Sequence, residues 1–383
     1  MELNHYFDAV DFSAYAKESP VAWRFSLGAT IQKNTTKLNS TNLSNVEVAL
    51  VGVPFETRNN ESVITNVPDQ IRKELYRLAN RKKLNIVDFG NLKKAQSTKG
   101  NFLALRDITD YLNELNIKTI ILGGSQDFSY GICQAFSTNK LFSFCTIDAQ
   151  LDIKKGREVS TPENYLSKVF SKIPNLFQFS LLGYQTHYVP DEYFPKLKGI
   201  GQHIRLGMLR QKLTLAEPVF RNSDFLSIDF STLKYSDSYG YRKLPNGLQN
   251  EEICQLAKYA GLSARLQVFG LFGIVNETFN AEITFKLAAQ VIYYYLEGFQ
   301  DQSKMHPSNN EGFNEYKVEI TEVDGPVIFY KNDETGQWWI EVKSLDNQIV
   351  YLACNEQDYE DAIHNEIPIF WLDYIQKIDE ILK

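Results

Sequence analysis

Between residues 46 and 299 the chain alternates short runs rich in Val, Ile, Leu and Phe with segments of helical spacing. This alternation restricts the fold more than any other feature. Residues 46–53, 85–89, 118–122, 142–147, 177–182, 203–206, 225–228 and 266–271 read as strands. Helical spacing fills 68–79, 102–115, 128–136, 163–170, 248–260 and 281–299. Pro68 stands near the start of the first helix, where a missing N–H costs nothing, and Ile71, Leu75 and Leu78 share one face. Strands separated by helices pair in parallel and carry helices on both faces. The expectation is an α/β fold with a mainly parallel sheet of about eight strands.

The pattern changes near residue 300. Residues 301–314 are polar and read as a linker. The runs 318–323, 327–330 and 338–342, separated by Gly and Asn turns, predict a small antiparallel meander, and 360–382 predicts a helix broken at Pro368. The expected division is 1–300, with 1–44 as its N-terminal segment, and a C-terminal extension over 301–383. A net charge of −7 gives no sign of a nucleic-acid footprint. The four cysteines are widely spaced with no C-x-x-C pair, which fits core thiols in a reducing compartment. No basic, apolar leader opens the sequence and no apolar run is long enough to span a bilayer, so a cytoplasmic protein is expected.

Chemistry concentrates at Asp148-Ala149-Gln150-Leu151-Asp152, which follows the apolar run 141–147. Carboxylates just past the carboxyl end of a strand lie where open α/β sheets place their ligands. Two more segments share that position: Gly123-Gly124-Ser125-Gln126-Asp127 after 118–122, and Asp229-Phe230-Ser231 after 225–228, where Ser227 and Ile228 end the strand.

In order and spacing these three segments resemble the arginase, agmatinase and formimidoylglutamase superfamily, the ureohydrolases. The first is similar to that family's Gly-Gly-Asp-His-Ser turn, the second to Asp-Ala-His-x-Asp, the third to Ser-x-Asp-x-Asp-x-Leu. Pro68 to Arg72 resembles the family's Gly-Pro-x-x-Ile-Arg helix start. Gly183-Tyr184-Gln185-Thr186-His187 and Arg205-Leu206-Gly207 resemble the formimidoylglutamase-like branch. The resemblance covers roughly residues 45–300. It implies a three-layer α/β/α fold around an eight-stranded parallel sheet. It also implies a two-manganese centre whose bridging hydroxide attacks a guanidino or formimino carbon.

Six side chains, two His and four Asp, hold the metals in that family. Asp148, Asp152 and Asp229 match; Gln126, Gln150 and Ser231 stand where two His and one Asp are implied. An amide is a poor replacement for imidazole on Mn²⁺, and serine removes a charge. The family's substrate-side acid falls at Gly273 or Ile274, with Glu277 nearby, and its proton-shuttling His falls near Asn164 or Tyr165. These changes imply a site without a resident manganese pair, leaving room for a single Mg²⁺, Ca²⁺ or Mn²⁺ at the three aspartates. Otherwise the aspartates are inherited carboxylates satisfied by backbone N–H groups, water or a lysine such as Lys154.

His187 and His203 lie outside the metal motifs and read as structural or exposed. Arg205 and Arg210 read as a carboxylate clamp or as surface ion pairs. Trp338 and Trp339 either anchor a partner or pack the extension onto the main domain. Two functions follow from different classes. One is a catalytically silent ureohydrolase relative that serves as a scaffold, with a protein partner or self-association. The other is a formimidoylglutamase-like C–N hydrolase of a formimino or guanidino substrate.

Overall fold

Every residue of the strands Val48–Gly52, Lys118–Leu122, Phe142–Ile147, Phe225–Asp229 and Val268–Phe272 is buried. Parallel strands covered on both faces have this property. The computed structural model describes residues 2–10, 22–34, 43–58, 61–80, 84–154, 160–197, 199–236, 240, 242–276, 281–303, 305–309, 312–343, 348–368, 370–372, 374–375 and 377. Its strands in chain order are β1 (Phe7–Asp8), β2 (Gln32–Lys33), β3 (Val48–Gly52), β4 (Phe55–Arg58), β5 (Glu61–Ile64), β6 (Ile86–Leu92), β7 (Lys118–Leu122), β8 (Phe142–Ile147), β9 (Leu176–Tyr184), β10 (His203–Arg205), β11 (Phe225–Asp229) and β12 (Val268–Phe272). The large sheet runs β1-β6-β3-β7-β12-β11-β8-β9-β10, with β2 also on β6.

All eight expected strands are present and pair in parallel. The sheet has ten strands because the N-terminal segment adds β1, antiparallel, and β2, parallel, both on β6. Two-residue strands carry no period to read. The antiparallel hairpin β4–β5 was likewise not anticipated.

Side chains alternate between two cores along each strand. Val48, Leu50, Ile120, Leu122, Leu226 and Ile228 face the layer that holds Ile71, Ile253 and Val291. Ala49, Val51, Ile121, Phe144 and Phe225 face the layer that holds Leu105, Ile132 and Val169. Three layers result. The first helix is Val67–Leu75, shorter than expected, because the N-terminal segment takes its C-terminal carbonyls: Leu27 donates to Leu78 O and Gly28 to Tyr76 O. The helix Thr98–Glu114 starts earlier than expected because the Ser97 side chain caps it, accepting from Gly100 N at 3.1 Å.

Beyond residue 312 lie four antiparallel strands, β13 (Phe313–Val318), β14 (Val327–Asn332), β15 (Trp338–Lys343) and β16 (Ile349–Cys354), then the helix Glu356–Ile363. The meander therefore has four strands where three were expected, and its first strand ends at Val318, where the expected run began. The chain is helical again at 370–372, so the break near Pro368 is present; the tail beyond 377 lies outside the described residues. The extension docks through hydrogen bonds as well as aromatics. Asn222 pairs with Ala353 in both directions at 2.9 Å. Arg221 donates to Trp338 O and Cys354 O and lies 4.5 Å over the Trp339 ring. Tyr374 meets Phe177 edge-on at 4.4 Å. Trp338 and Trp339 are buried in this packing.

His203 opens β10 beside Phe179, mostly buried, and burial pushes its imidazole down to about 4. The neutral ring is the form the fold accepts. Its stabilising effect is complete above the ordinary value of 6.5 and is lost as pH falls towards 4. Stability difference curves between wild type and His203→Phe, from urea unfolding at pH 7 and pH 4.5, should diverge by about 2 kcal/mol across that interval.

Candidate functional site

The order β3-β7-β12-β11-β8 separates β7 from β8, the next strand in the chain, by two strands that arrive later. At such a switch point the loops leaving β7, β8 and β11 open around one crevice. The β7 loop turns through Gly123 (φ 77°) and Gly124 (φ 91°), a conformation that favours glycine, and a Cβ on Gly124 would lie 2.8 Å from Val53 Cγ1. This is a tight turn that delivers Gln126, and the helix Phe128–Gln134 begins only after it. In the turn, burial raises the Asp127 carboxyl to about 6, against a 2.6 Å hydrogen bond from Ser125 Oγ.

One carboxylate oxygen each from Asp148, Asp152 and Asp229 lies within 4.8 Å of the others, and all three residues are buried. Asp148 Oδ1 accepts from Gln150 N at 2.9 Å. Asp229 Oδ1 accepts from Ser231 N at 2.7 Å and Ser231 Oγ at 2.6 Å. Gln126 Nε2 faces three hydroxyls, Ser227 Oγ at 2.6 Å and Thr146 Oγ1 and Tyr165 OH at 3.2 Å, while its Oε1 is buried with no partner among the described residues. The structure places Gln126 after β7, Asp148, Gln150 and Asp152 after β8, and Asp229 and Ser231 at the end of β11, all at the carboxyl edge of the sheet.

The pocket also holds a residue that the sequence reading missed. Arg242 donates from Nη1 to Asp148 Oδ1 at 3.0 Å and from Nη2 to Asp152 Oδ1, and its side chain is only 8% exposed. Lys154, named above as one candidate partner beside backbone N–H groups and water, pairs with Glu163 at 2.6 Å. Burial raises Asp148 well above the usual carboxylate range, helped by Asp152 and opposed by Arg242; it raises Asp152 to about 6, again opposed by Arg242. Burial works against the Arg242 charge too, but the aspartates outweigh it and hold the guanidinium protonated. Arg242 lies 90 residues from Asp152 in a turn. Nothing in the strand pattern or the three motifs singles out Arg242 in the sequence.

Of the two positions implied for the family's substrate-side acid, Gly273 has φ 70°, and a Cβ there would lie 2.7 Å from Asp229 Oδ1. Ile274 is buried, and Glu277 lies outside the described residues. Asn164 and Tyr165, the two positions implied for the shuttling His, are both buried, and the Tyr165 hydroxyl accepts from Gln126 Nε2. Beside the site, a cavity of about 390 Å³ is lined by Gln185, His187, Arg205, Arg210, Lys234 and Asn246, among others. His187 is exposed, and Arg210 pairs with Glu252 at 2.9 Å.

An arginase family model matches residues 46–184. The fold is similar to formiminoglutamase from Trypanosoma cruzi with Mn²⁺, at 16% identity and a TM-score of 0.60, over 67% of this chain and 95% of that one. It is similar to formimidoylglutamase from Bacillus subtilis, at 18% identity and a TM-score of 0.62, over 75% and 96%. Agmatine ureohydrolase of Thermoplasma volcanium aligns at 14% identity and a TM-score of 0.56, over 67% and 91%. No curated protein matches the chain by sequence. The family model covers the first part of the sheet domain, and the solved structures share the arginase-like fold of the whole domain. No helix among the described residues is long and apolar enough to cross a membrane.

Proposed function

We propose that this chain keeps the ureohydrolase fold without its two-manganese hydrolysis, and that it acts as a scaffold by binding a protein partner or a second copy of itself. The carrying observation is the polarity of Ser231: both its N–H and its hydroxyl donate to Asp229 Oδ1. An aspartate there would offer a metal a second anionic ligand; serine offers hydrogens to the existing one. Gln126 adds support, since its amide nitrogen is engaged with Ser227, Thr146 and Tyr165. Hard cations such as Mn²⁺ take carboxylate or imidazole donors, so these residues do not fit a manganese pair. The positions implied for the acid, Gly273 or Ile274, and for the shuttle, Asn164 or Tyr165, carry neither a carboxylate nor an imidazole.

A second reading is favoured by one observation. Three buried carboxylates converge within 4.8 Å, a donor set suited to a single divalent cation in a formimidoylglutamase-like hydrolase. One experiment separates the two. Protein dialysed against Mn²⁺ is incubated with formimino and guanidino substrates, and formamide and urea are assayed. The expected result is release at the buffer rate; manganese-dependent turnover would establish the hydrolase instead.

A further inference from the structure

The three aspartates require positive charge, and the chain supplies it. Asp148, Asp152 and Asp229 are 1%, 2% and 3% exposed. Buried carboxylates this close are tolerated only with a cation or a proton among them. The Arg242 guanidinium meets two of them with two different nitrogens, a fork geometry that an ammonium cannot reproduce.

Described residues on either side of Arg242 are tied together beside the site. Lys234 N donates to Leu248 O at 3.1 Å and Tyr235 N to Leu244 O at 2.9 Å. Gly240 bridges to Ile274 and presses on the site so closely that a Cβ would lie 2.5 Å from Ser231 Cα. One acceptor is left over: Asp152 Oδ2 is buried with no partner among the described residues, an oxygen ready for a further ligand.

We propose that Arg242 is the resident cation of this pocket, standing in for metal, and that its removal uncovers a site for one divalent cation formed by Asp148, Asp152 and Asp229. This rests on the reading that the chain holds no manganese pair. Guanidinium offsets one negative charge among the aspartates, but it has no vacant coordination position and cannot activate water as a metal does. An arginine in place of a metal therefore supplies part of the positive charge and none of the chemistry.

The test uses the full chain and Mn²⁺ alone, with free Mn²⁺ read by its EPR signal. Arg242→Met, which keeps most of the side-chain length and removes the charge, should bind one Mn²⁺ at least tenfold more tightly than wild type. Adding Asp152→Asn should abolish that gain. The Tm of Arg242→Met should fall below that of wild type and rise with Mn²⁺, while the wild-type Tm stays fixed. If Arg242→Met is unfolded without metal, the Arg242→Met/Asp152→Asn variant, which loses one charge of each sign, should recover at least half of the lost Tm. Equal Mn²⁺ affinity in wild type and Arg242→Met overturns the proposal, as does a double variant no more stable than Arg242→Met. Either result leaves the non-hydrolytic reading intact; turnover by wild type overturns that reading through a different measurement.

Discussion

Replacing Arg72 by Met is expected to destabilise the fold by about 3–5 kcal/mol, the range found when one member of a buried ion pair is removed. Arg72 and Asp88 are both fully buried. Nε donates to Asp88 Oδ2 at 2.7 Å, Nη2 to Asp88 Oδ1 at 3.0 Å and Nη2 to Gly90 O at 2.8 Å, while Nη1 reaches Asp69 at 3.1 Å. After the substitution Asp88 keeps only neutral donors on its side chain, Tyr76 OH at 2.6 Å and Gly90 N at 2.8 Å. Those cannot balance a charge in the core, so the carboxylate is left uncompensated. Gly52 makes the room for the pair: a Cβ there would lie 2.9 Å from both terminal nitrogens of Arg72. Urea unfolding at pH 7 measures the loss, and a value below about 1 kcal/mol would mean that water or Lys33 replaces the guanidinium. The effect also reaches the site. The helix Val67–Leu75 packs Val67 and Pro68 against the Gly123 turn, where a Cβ would lie 3.2 Å from Val67 Cγ1, and that turn carries Gln126.

The parallel sheet was legible because its strands are continuous apolar runs and its helices repeat their apolar residues on one face. Lys118–Leu122 and Phe142–Ile147 match their expected bounds to the residue. Helix ends were less legible, since they depend on partners far along the chain. The Leu78 carbonyl goes to Leu27, and neither residue identifies the other in the sequence. β16 (Ile349–Cys354) was readable on the same grounds as its neighbours, whereas Phe313–Val318 is half polar and becomes a strand by pairing with β14. Six positions of the site came from motif spacing, because strand ends bring fixed offsets together. Arg242 did not, because a loop residue has no register with the strands it crosses. The physical clue was charge: three clustered aspartates call for a cation, and Lys154, one of the candidates offered, is held by Glu163.

Restoring the family's ligands should fail while Arg242 remains and succeed without it. The variant Gln126→His, Gln150→His, Ser231→Asp supplies two imidazoles and a fourth carboxylate. With Arg242 in place, the added carboxylate strengthens the hold on the guanidinium, since the pocket gains negative charge beside an existing cation. Manganese affinity should then stay within about threefold of wild type. Combined with Arg242→Met, the same three changes should raise it by at least about a hundredfold, because changes one layer outside the ligands already alter metal affinity by about ten- to a hundredfold and these act on the ligands themselves. Isothermal titration with Mn²⁺ compares the two backgrounds. A large gain with Arg242 retained would show that the arginine yields readily and that the three lost ligands alone set the affinity. Hydrolysis is expected to stay absent even where metal returns. A side chain at Gly273 meets Asp229 Oδ1 at 2.7 Å, so an acid cannot be grafted there without moving the loop, and Tyr165, one of the two positions implied for the shuttling imidazole, is committed to Gln126. Metal binding without formamide or urea release would therefore separate two losses in this pocket, the cation and the proton-transfer groups.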